Sequence, residues 1–282
     1  AKLQERLSRP QNWREMCDVT ISNTRVISSS YISTTGGWAA AATVTRGTAL
    51  TPTDVVEVAE SLTIATGRQV TTYFDWADLS QSPWTQEAEI WKRTGERLGE
   101  FIETDVLDDH ANWRNLGGSG GVWTDNVATT LAASAANIDD LVRLSRRVVR
   151  EQNGQDNMTS NGLGFTWNPT SFEFLEAFTQ ANGFESADRA LERGLAPQVT
   201  YLGSFHYVSN DNVADHVFAG VRKLMRVGIL RGTFGRMHRV ESPAGDSGGI
   251  HSGVAFYSRV DIGTLTPTTY NTILFDVNDS NS

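Results

Sequence analysis

Between Ser82 and Gly117 runs a helix pattern longer than one compact domain needs, and any fold for this chain has to accommodate it. Ser82 is a capping residue, Pro83 suits the first helical position, and Glu87 and Glu89 lie near the positive end of the helix dipole. Trp84, Ala88, Trp91, Gly95, Leu98, Ile102 and Val106 recur in steps of three and four, and Trp113 falls near the same stripe. Lys92, Arg93, Glu96, Arg97, Glu100 and Glu103 are expected on the opposite, wet face. At 1.5 Å per residue, about thirty helical residues predict a rod of about 45 Å. The glycine-rich stretch 116–121 is expected to end it as a hinge or domain boundary.

A β-rich region precedes this helix. Residues 18–31 are dense in Thr, Ser, Val and Ile, with Val19, Ile21 and Ile27 on one face. Further on, Val56, Val58, Leu62 and Ile64 alternate with Glu57, Ala59, Ser61 and Thr63, the period of a half-buried strand. The phase resumes after Gly67 with Val70, Phe74 and Trp76, so one long, bent strand is expected. Between these strands, 33–54 contains Gly36-Gly37, alanines from Ala39 to Ala42, Gly47 and Pro52, too little large apolar surface for a core. It reads either as a long loop or as a protruding two-stranded arm that lies on a neighbouring molecule, since a lone hairpin is marginal in water. Residues 1–17 are polar and charged around Pro10 and read as an arm with little core of its own, or a short helix. An N-terminal Ala fits either removal of an initiator Met or cleavage of a longer precursor.

The second half reads as mixed α and β. An amphipathic helix over 137–152 turns Ile138, Leu141, Val142, Ser145, Val148 and Val149 inward and closes at Asn153-Gly154. A short strand, 162–168, ends at Pro169, and Thr170 or Ser171 opens a helix with Phe174, Leu175 and Phe178 inward. A short helix is expected at 186–193, and strands at 201–209 and 224–233. The C-terminal region alternates through Val254, Phe256, Val260 and Ile262, then Ile273, Phe275 and Val277.

Composition narrows the class. A chain of 282 residues with 39% hydrophobic residues, eight Trp and twelve Phe is ordered and can bury a sizeable core. Its net charge of −9 argues against a dedicated nucleic-acid binder, which would need clustered cations. The single cysteine, Cys17, excludes an intrachain disulfide framework. No apolar stretch reaches the length of a membrane span, and no signal-peptide pattern precedes the first strand. Lysine occurs only at Lys2, Lys92 and Lys223; the other basic residues are arginine, whose planar fork suits lasting carboxylate contacts.

Candidate chemistry is sparse. Gly245-Asp246-Ser247-Gly248-Gly249 resembles the nucleophile segment of chymotrypsin-like serine proteases, and a triad in the order His110, Asp156, Ser247 is what such an enzyme would need. Yet His110 sits in Asp108-Asp109-His110-Ala111-Asn112 at the end of the long helix, and that protease fold is two β-barrels. The motif reads as a Gly-rich turn, with a serine protease kept as an alternative. His206, His216, His238 and His251 are scattered without ligand spacing, and Asn210-Asp211-Asn212 reads as a turn. Asp139-Asp140 suits a helix first turn. No phosphate loop or dinucleotide fingerprint is present. No catalytic residue, metal or cofactor is expected. Arg143, Arg146, Arg147 and Arg150 form one basic patch, either a solvated helix face or a surface for acidic groups of a neighbouring subunit; nucleic acid is a third reading, disfavoured by the lack of interleaved aromatics.

In order of elements, the chain resembles the Hong Kong 97 capsid fold of tailed phages. The resemblance covers nearly the whole sequence. Locally it is carried by the long helix, by Leu163-Gly164-Phe165-Thr166-Trp167-Asn168-Pro169 before a helix, and by Tyr201-Leu202-Gly203-Ser204-Phe205-His206-Tyr207-Val208-Ser209. It implies an α+β fold with an N-arm at 1–17 and a peripheral domain at 18–119. That domain would hold an extended β loop at about 31–68 and a spine helix at about 83–116. An α/β axial domain at 120–240 and a C-terminal β segment at 241–282, returning to the peripheral domain, would complete it. The implied function is a non-enzymatic shell subunit of an icosahedral virion, assembled in the host cytoplasm as hexamers and pentamers around DNA packaged without sequence-specific binding. The resemblance also allows a cement or decoration protein, a portal and a scaffold as partners, and implies no membrane. A cellular encapsulin-type compartment around a cargo enzyme shares the fold and is the alternative. Some members weld the shell through a lysine of the extended loop, and this chain has no lysine from Gln4 to Trp91.

Overall fold

A computed structural model of the chain describes residues 13–32, 57–75, 86–107, 113–152, 154–182, 198–209, 217–233, 236–241, 253–268 and 270–281. In chain order the first elements are α1 (Trp13–Met16), β1 (Asp18–Ser22), β2 (Val26–Ile32), β3 (Glu57–Thr63), β4 (Thr66–Asp75) and α2 (Gln86–Leu107). Next come β5 (Arg114–Ser119), β6 (Val122–Asp125), α3 (Ile138–Glu151), α4 (Gln155–Asn161), β7 (Leu163–Trp167) and α5 (Pro169–Ala181). The last are β8 (Gln198–Tyr201), β9 (Ser204–Val208), β10 (Val217–Val221), β11 (Arg226–Leu230), β12 (Met237–Glu241), β13 (Gly253–Leu265) and β14 (Leu274–Val277). The expected helix at 186–193, the motif at 245–249, and His110, His216 and His251 lie outside the described residues.

The strands form two main sheets and a ribbon. One sheet is built on the long β13, which pairs with β4 along one edge and with β12 and then β11 along the other; β1 adds to β11 in parallel. The other sheet has seven strands in the order β6-β5-β14-β10-β7-β9-β8. The ribbon is β2 paired antiparallel with β3, from Val26↔Thr63 to Ile32↔Glu57. β3 and β4 are nearly continuous, as the alternation predicts, but the break falls at Ile64-Ala65 rather than after Gly67. There the chain leaves the ribbon and joins β13, so one extended stretch serves two sheets.

The long helix is described over Gln86–Leu107 and lies against β4 and β13. Leu98, Ile102 and Val106 are buried as expected, but Glu103, expected on the wet face, is fully buried, as is Thr94. A helix laid on a sheet buries a stripe at least about 100° wide, and this one widens toward Gly99 and Glu103 while leaving Gly95 exposed. Arg114, Asn115 and Leu116, expected at the helix end, are instead strand β5.

The glycine-rich stretch, expected to be a hinge or domain boundary, is a β-hairpin. β5 and β6 form a hairpin whose turn, Gly120-Gly121, has φ of +62° and +81°, a left-handed pair that only glycine adopts cheaply. Residue 120, the expected domain boundary, sits in that turn. A Cβ on Gly117 would strike the Val127 and Thr129 carbonyls, and Gly118 N–H donates to Thr129 O at 2.7 Å. These glycines let a neighbouring backbone approach.

One further expectation changes because non-local pairing decides partners. The stretch 201–209 is a hairpin of β8 and β9 rather than one strand. The C-terminal β segment divides: β13 centres one sheet, and β14 lies inside the seven-stranded sheet between β5 and β10. Likewise β11, inside the stretch expected to be axial, pairs with β1 and β13. In α5 it is Phe172, with Ser171, Leu175 and Thr179, that is buried, while Phe174 and Phe178 are half-buried; the cap is Asn168, whose side chain accepts from Ser171 N–H. All six residues expected inward on α3 are buried.

The end of the expected arm belongs to the core. Trp13, Met16 and Cys17 are buried in the main cluster, and Asp18 N–H donates to Met225 O at 2.8 Å. Lys223 Nζ donates to the Cys17 carbonyl at 3.1 Å and also to that of Arg14. A Cβ on Gly164 would meet the Met16 sulfur, so β7 offers a seat for α1.

Candidate assembly surfaces

The root of the ribbon is the most constructed surface feature. Gly228 and Gly263 are paired across β11 and β13, which leaves a bare patch of backbone on one sheet face. A Cβ on Gly228 would meet Leu62 at 2.5 Å and Ile27 at 3.1 Å. One on Gly263 would meet the Thr63 carbonyl oxygen and, at 3.0 Å, Ile64 Cα. Leu62 and Ile64 are therefore nearly fully buried beside the glycines, while Glu57, Ala59, Ser61 and Thr63 face solvent. Arg226 donates to Ser29 Oγ at 2.5 Å, and Thr268 donates through N and Oγ1 to Glu60 at 3.2 and 3.0 Å. These bonds clamp the ribbon to β11 and to the turn after β13. Sequence periodicity does not reveal this seat. A signal is nevertheless present, because a glycine inside each of two strand patterns marks close backbone approach.

The same sheet face continues beyond the ribbon. Tyr73, Ala255 and Val240 form one cross-strand rung, and Tyr73 and Val240 are 48% and 38% exposed. Two residues along, Thr71, Tyr257 and His238 form another, with the His238 and Tyr257 rings stacked at 4.9 Å. Apolar Val122 beside the β5–β6 turn and Phe101 on α2 are also exposed. On the opposite face, Arg68 Nε donates to Asp105 at 2.7 Å, tying β4 to α2.

The arginines of α3 are largely engaged within the subunit. Arg143 donates to Asp139 at 2.7 Å, Arg146 to Leu202 O at 2.6 Å, and Arg147 lies 3.6 Å from Glu151. Asp139 also accepts from the Tyr201 hydroxyl at 2.6 Å. Burial first and this hydrogen bond second push the Tyr201 pKa up to about 12.

Of the protease-like triad, only Asp156 is described; it is exposed in the first turn of α4. His206 is buried and His238 exposed on different sheets. Among the described residues no cluster of His, Cys, Asp or Glu is arranged to hold a metal, and no helix is long and apolar enough to cross a membrane.

No protein-family model and no curated protein sequence matches the chain. Solved structures do. A chain from Gordonia phage Cozz superposes with a TM-score of 0.64 at 13% identity, covering 96% of this chain and 87% of that one. A chain from the mature capsid of bacteriophage PhiM1 gives 0.58 at 14% identity, covering 95% and 86%. The chain has a capsid fold. A virus-like particle from Pyrococcus furiosus shares this capsid fold too, with a TM-score of 0.56 at 12% identity, covering 98% and 95%.

Proposed function

We propose that the chain is the major shell subunit of a tailed phage, self-assembling into an icosahedral capsid around packaged DNA. The carrying observation is the capsid fold itself, matched over nearly all of this chain and most of the PhiM1 capsid chain. In this reading the ribbon β2–β3 is the root of the extended loop and α2 is the spine helix. The sheet around β13 makes the peripheral domain. The seven-stranded sheet with α3, α4 and α5 makes the axial domain, so β5, β6 and β14 join the axial domain and β11 the peripheral one. Axial domains would meet around hexamers and pentamers, and the loop would drape over an adjacent subunit, so that many weak interfaces act together. The chain's −9 charge discourages adhesion to the genome.

The test is negative-stain microscopy of the purified protein, in which uniform closed shells are expected and monodisperse monomers would sink the reading. Deleting 36–52 is expected to leave a folded subunit, because the deletion lies beyond the clamp at Ser29, Glu60, Leu62 and Ile64, while abolishing shells. Normal particles from that variant would contradict the loop's role. With no lysine between Gln4 and Trp91, the shell is expected to be noncovalent or held by a cement protein. Dissociated particles should run as monomers on a denaturing gel, and a ladder of higher masses would refute this. The Pyrococcus furiosus particle favours one second reading, a cellular compartment. DNA inside the particles supports the virion, and a cargo enzyme the compartment.

A further inference from the structure

His206 occupies a closed apolar site in the seven-stranded sheet. It lies on β9 and is fully buried, its ring stacked on Phe165 at 4.8 Å and 5°. Its Nδ1 accepts a hydrogen bond from Trp167 Nε1 at 3.0 Å. The proton of the neutral ring is then on Nε2, which finds no acceptor in hydrogen-bonding geometry. From β7 the ring faces Phe165 and Trp167, and from β8 it faces Tyr201 at 6.4 Å. Behind Tyr201 stands Phe178 of α5. The Tyr201 hydroxyl turns away to Asp139 of α3, which also takes Arg143, so that carboxylate is engaged on the far side of the phenol. Burial pushes the His206 pKa down to about 3, the Tyr201 backbone acting more weakly in the other direction. A proton on Nδ1 would abolish the acceptor for Trp167 and place a charge in an apolar site without a counterion.

Among the described residues, the element carrying this histidine pairs with the sheet on one side only. β8 and β9 form a hairpin about Leu202-Gly203, whose φ values of +48° and +72° suit a tight two-residue turn, and β8 is the last strand of the sheet among the described residues. The parallel β9–β7 ladder joins the hairpin to the sheet. Ser209 N–H to Trp167 O, Arg146 to Leu202 O and Tyr201 to Asp139 supplement it. We propose that His206 makes the β8–β9 hairpin an acid-sensitive latch, which leaves the sheet edge as the pH falls while the centre of the sheet stays closed. The closed hairpin excludes the proton, and the open one binds it with the ordinary affinity of histidine. Opening therefore becomes about tenfold easier per pH unit below about 6.5, until the closed form itself protonates near pH 3. This property belongs to the fold and does not depend on shell assembly.

Hydrogen exchange of the full chain, corrected for intrinsic rates, tests it at about pH 6.5 and about pH 4.5. The opening constant of β9 amides is expected to rise about 50-fold, well beyond that of β10 and β14. His206→Gln, which keeps an acceptor for Trp167 but does not titrate, should lose that increment. An equal rise in the variant, or an equal rise across β10 and β14, would overturn the latch. If His206→Gln fails to fold, the histidine signal of the unaltered protein decides. A ring that stays neutral below about pH 4.5 supports the latch, and one that titrates near 6.5 refutes it.

Discussion

Replacing Gly263 with valine is expected to lift the ribbon from its sheet and lower the midpoint of thermal unfolding by about 6–12 °C. The new side chain would be driven into the Thr63 carbonyl and Ile64 Cα, which are backbone atoms and cannot rotate aside. Overpacking of this kind costs typically about 1–3 kcal/mol, and a backbone obstacle puts it at the upper end. In a chain of this size each kcal/mol moves the midpoint by about 2–4 °C. Leu62 and Ile64 would lose their cover, so protease cutting near 57–65 should rise with the loss of stability. Gly95→Ala is the control: nothing lies within 4 Å of the carbon added at exposed Gly95 of α2, and alanine favours helix. An unchanged midpoint for Gly263→Val would show that the ribbon does not rest on the glycine pair. In the shell reading the same variant should also assemble poorly, because the seat sets the direction in which the loop leaves the subunit.

Truncating Asp279 to alanine is expected to cost about 4 kcal/mol, because two buried donors, Ala133 N–H and the Ser171 hydroxyl, and the half-buried Asn281 N–H would lose this acceptor. Asp279 is fully buried just past β14. Its Oδ1 accepts from Ala133 N–H and Asn281 N–H, each at 3.0 Å, and its Oδ2 accepts from the Ser171 hydroxyl at the start of α5. Asn281 Nδ2 donates back to Ala133 O at 2.6 Å, and Leu131 N–H donates to Asn278 O at 3.0 Å. One carboxylate thus joins the chain's last described turn, the approach to α3 and the cap of α5. Asp279→Asn retains an acceptor for the two backbone donors and should lose only about 1–2 kcal/mol. Urea unfolding monitored by tryptophan fluorescence separates the two variants. A loss below about 1 kcal/mol for Asp279→Ala would mean that solvent satisfies these donors in place of the carboxylate.

Much of this fold is legible where period and burial coincide. The buried face of α3 is the expected one because an amphipathic helix repeats its pattern over four turns. The alternation from Val58 to Ile64 likewise holds, since one side of that stretch meets a sheet and the other meets water. β10 escapes detection in the sequence, although it is central to the seven-stranded sheet. All five of its residues, Val217 to Val221, are buried, and a strand covered on both faces has no alternation to detect. That Gly117 has the Val127 and Thr129 carbonyls packed against it is invisible in the sequence. Glu103 looks like a wet residue until the sheet's breadth over α2 is known. As for chemistry, the triad suggested by Ser247 has only Asp156 among the described residues, and that side chain is exposed on α4.

Local order was written in the chain: the long helix, the α3 face, and the alternating strand that crosses between sheets. Each depends on residues within a few positions of one another. The tertiary structure alone decided which strands pair, that α1 belongs to the core, that β13 and β14 serve different sheets, and that Gly228 and Gly263 make a seat for the ribbon. Those features join residues tens to hundreds of positions apart, and no local period encodes which distant backbone will come close enough to require a glycine or to bury a carboxylate.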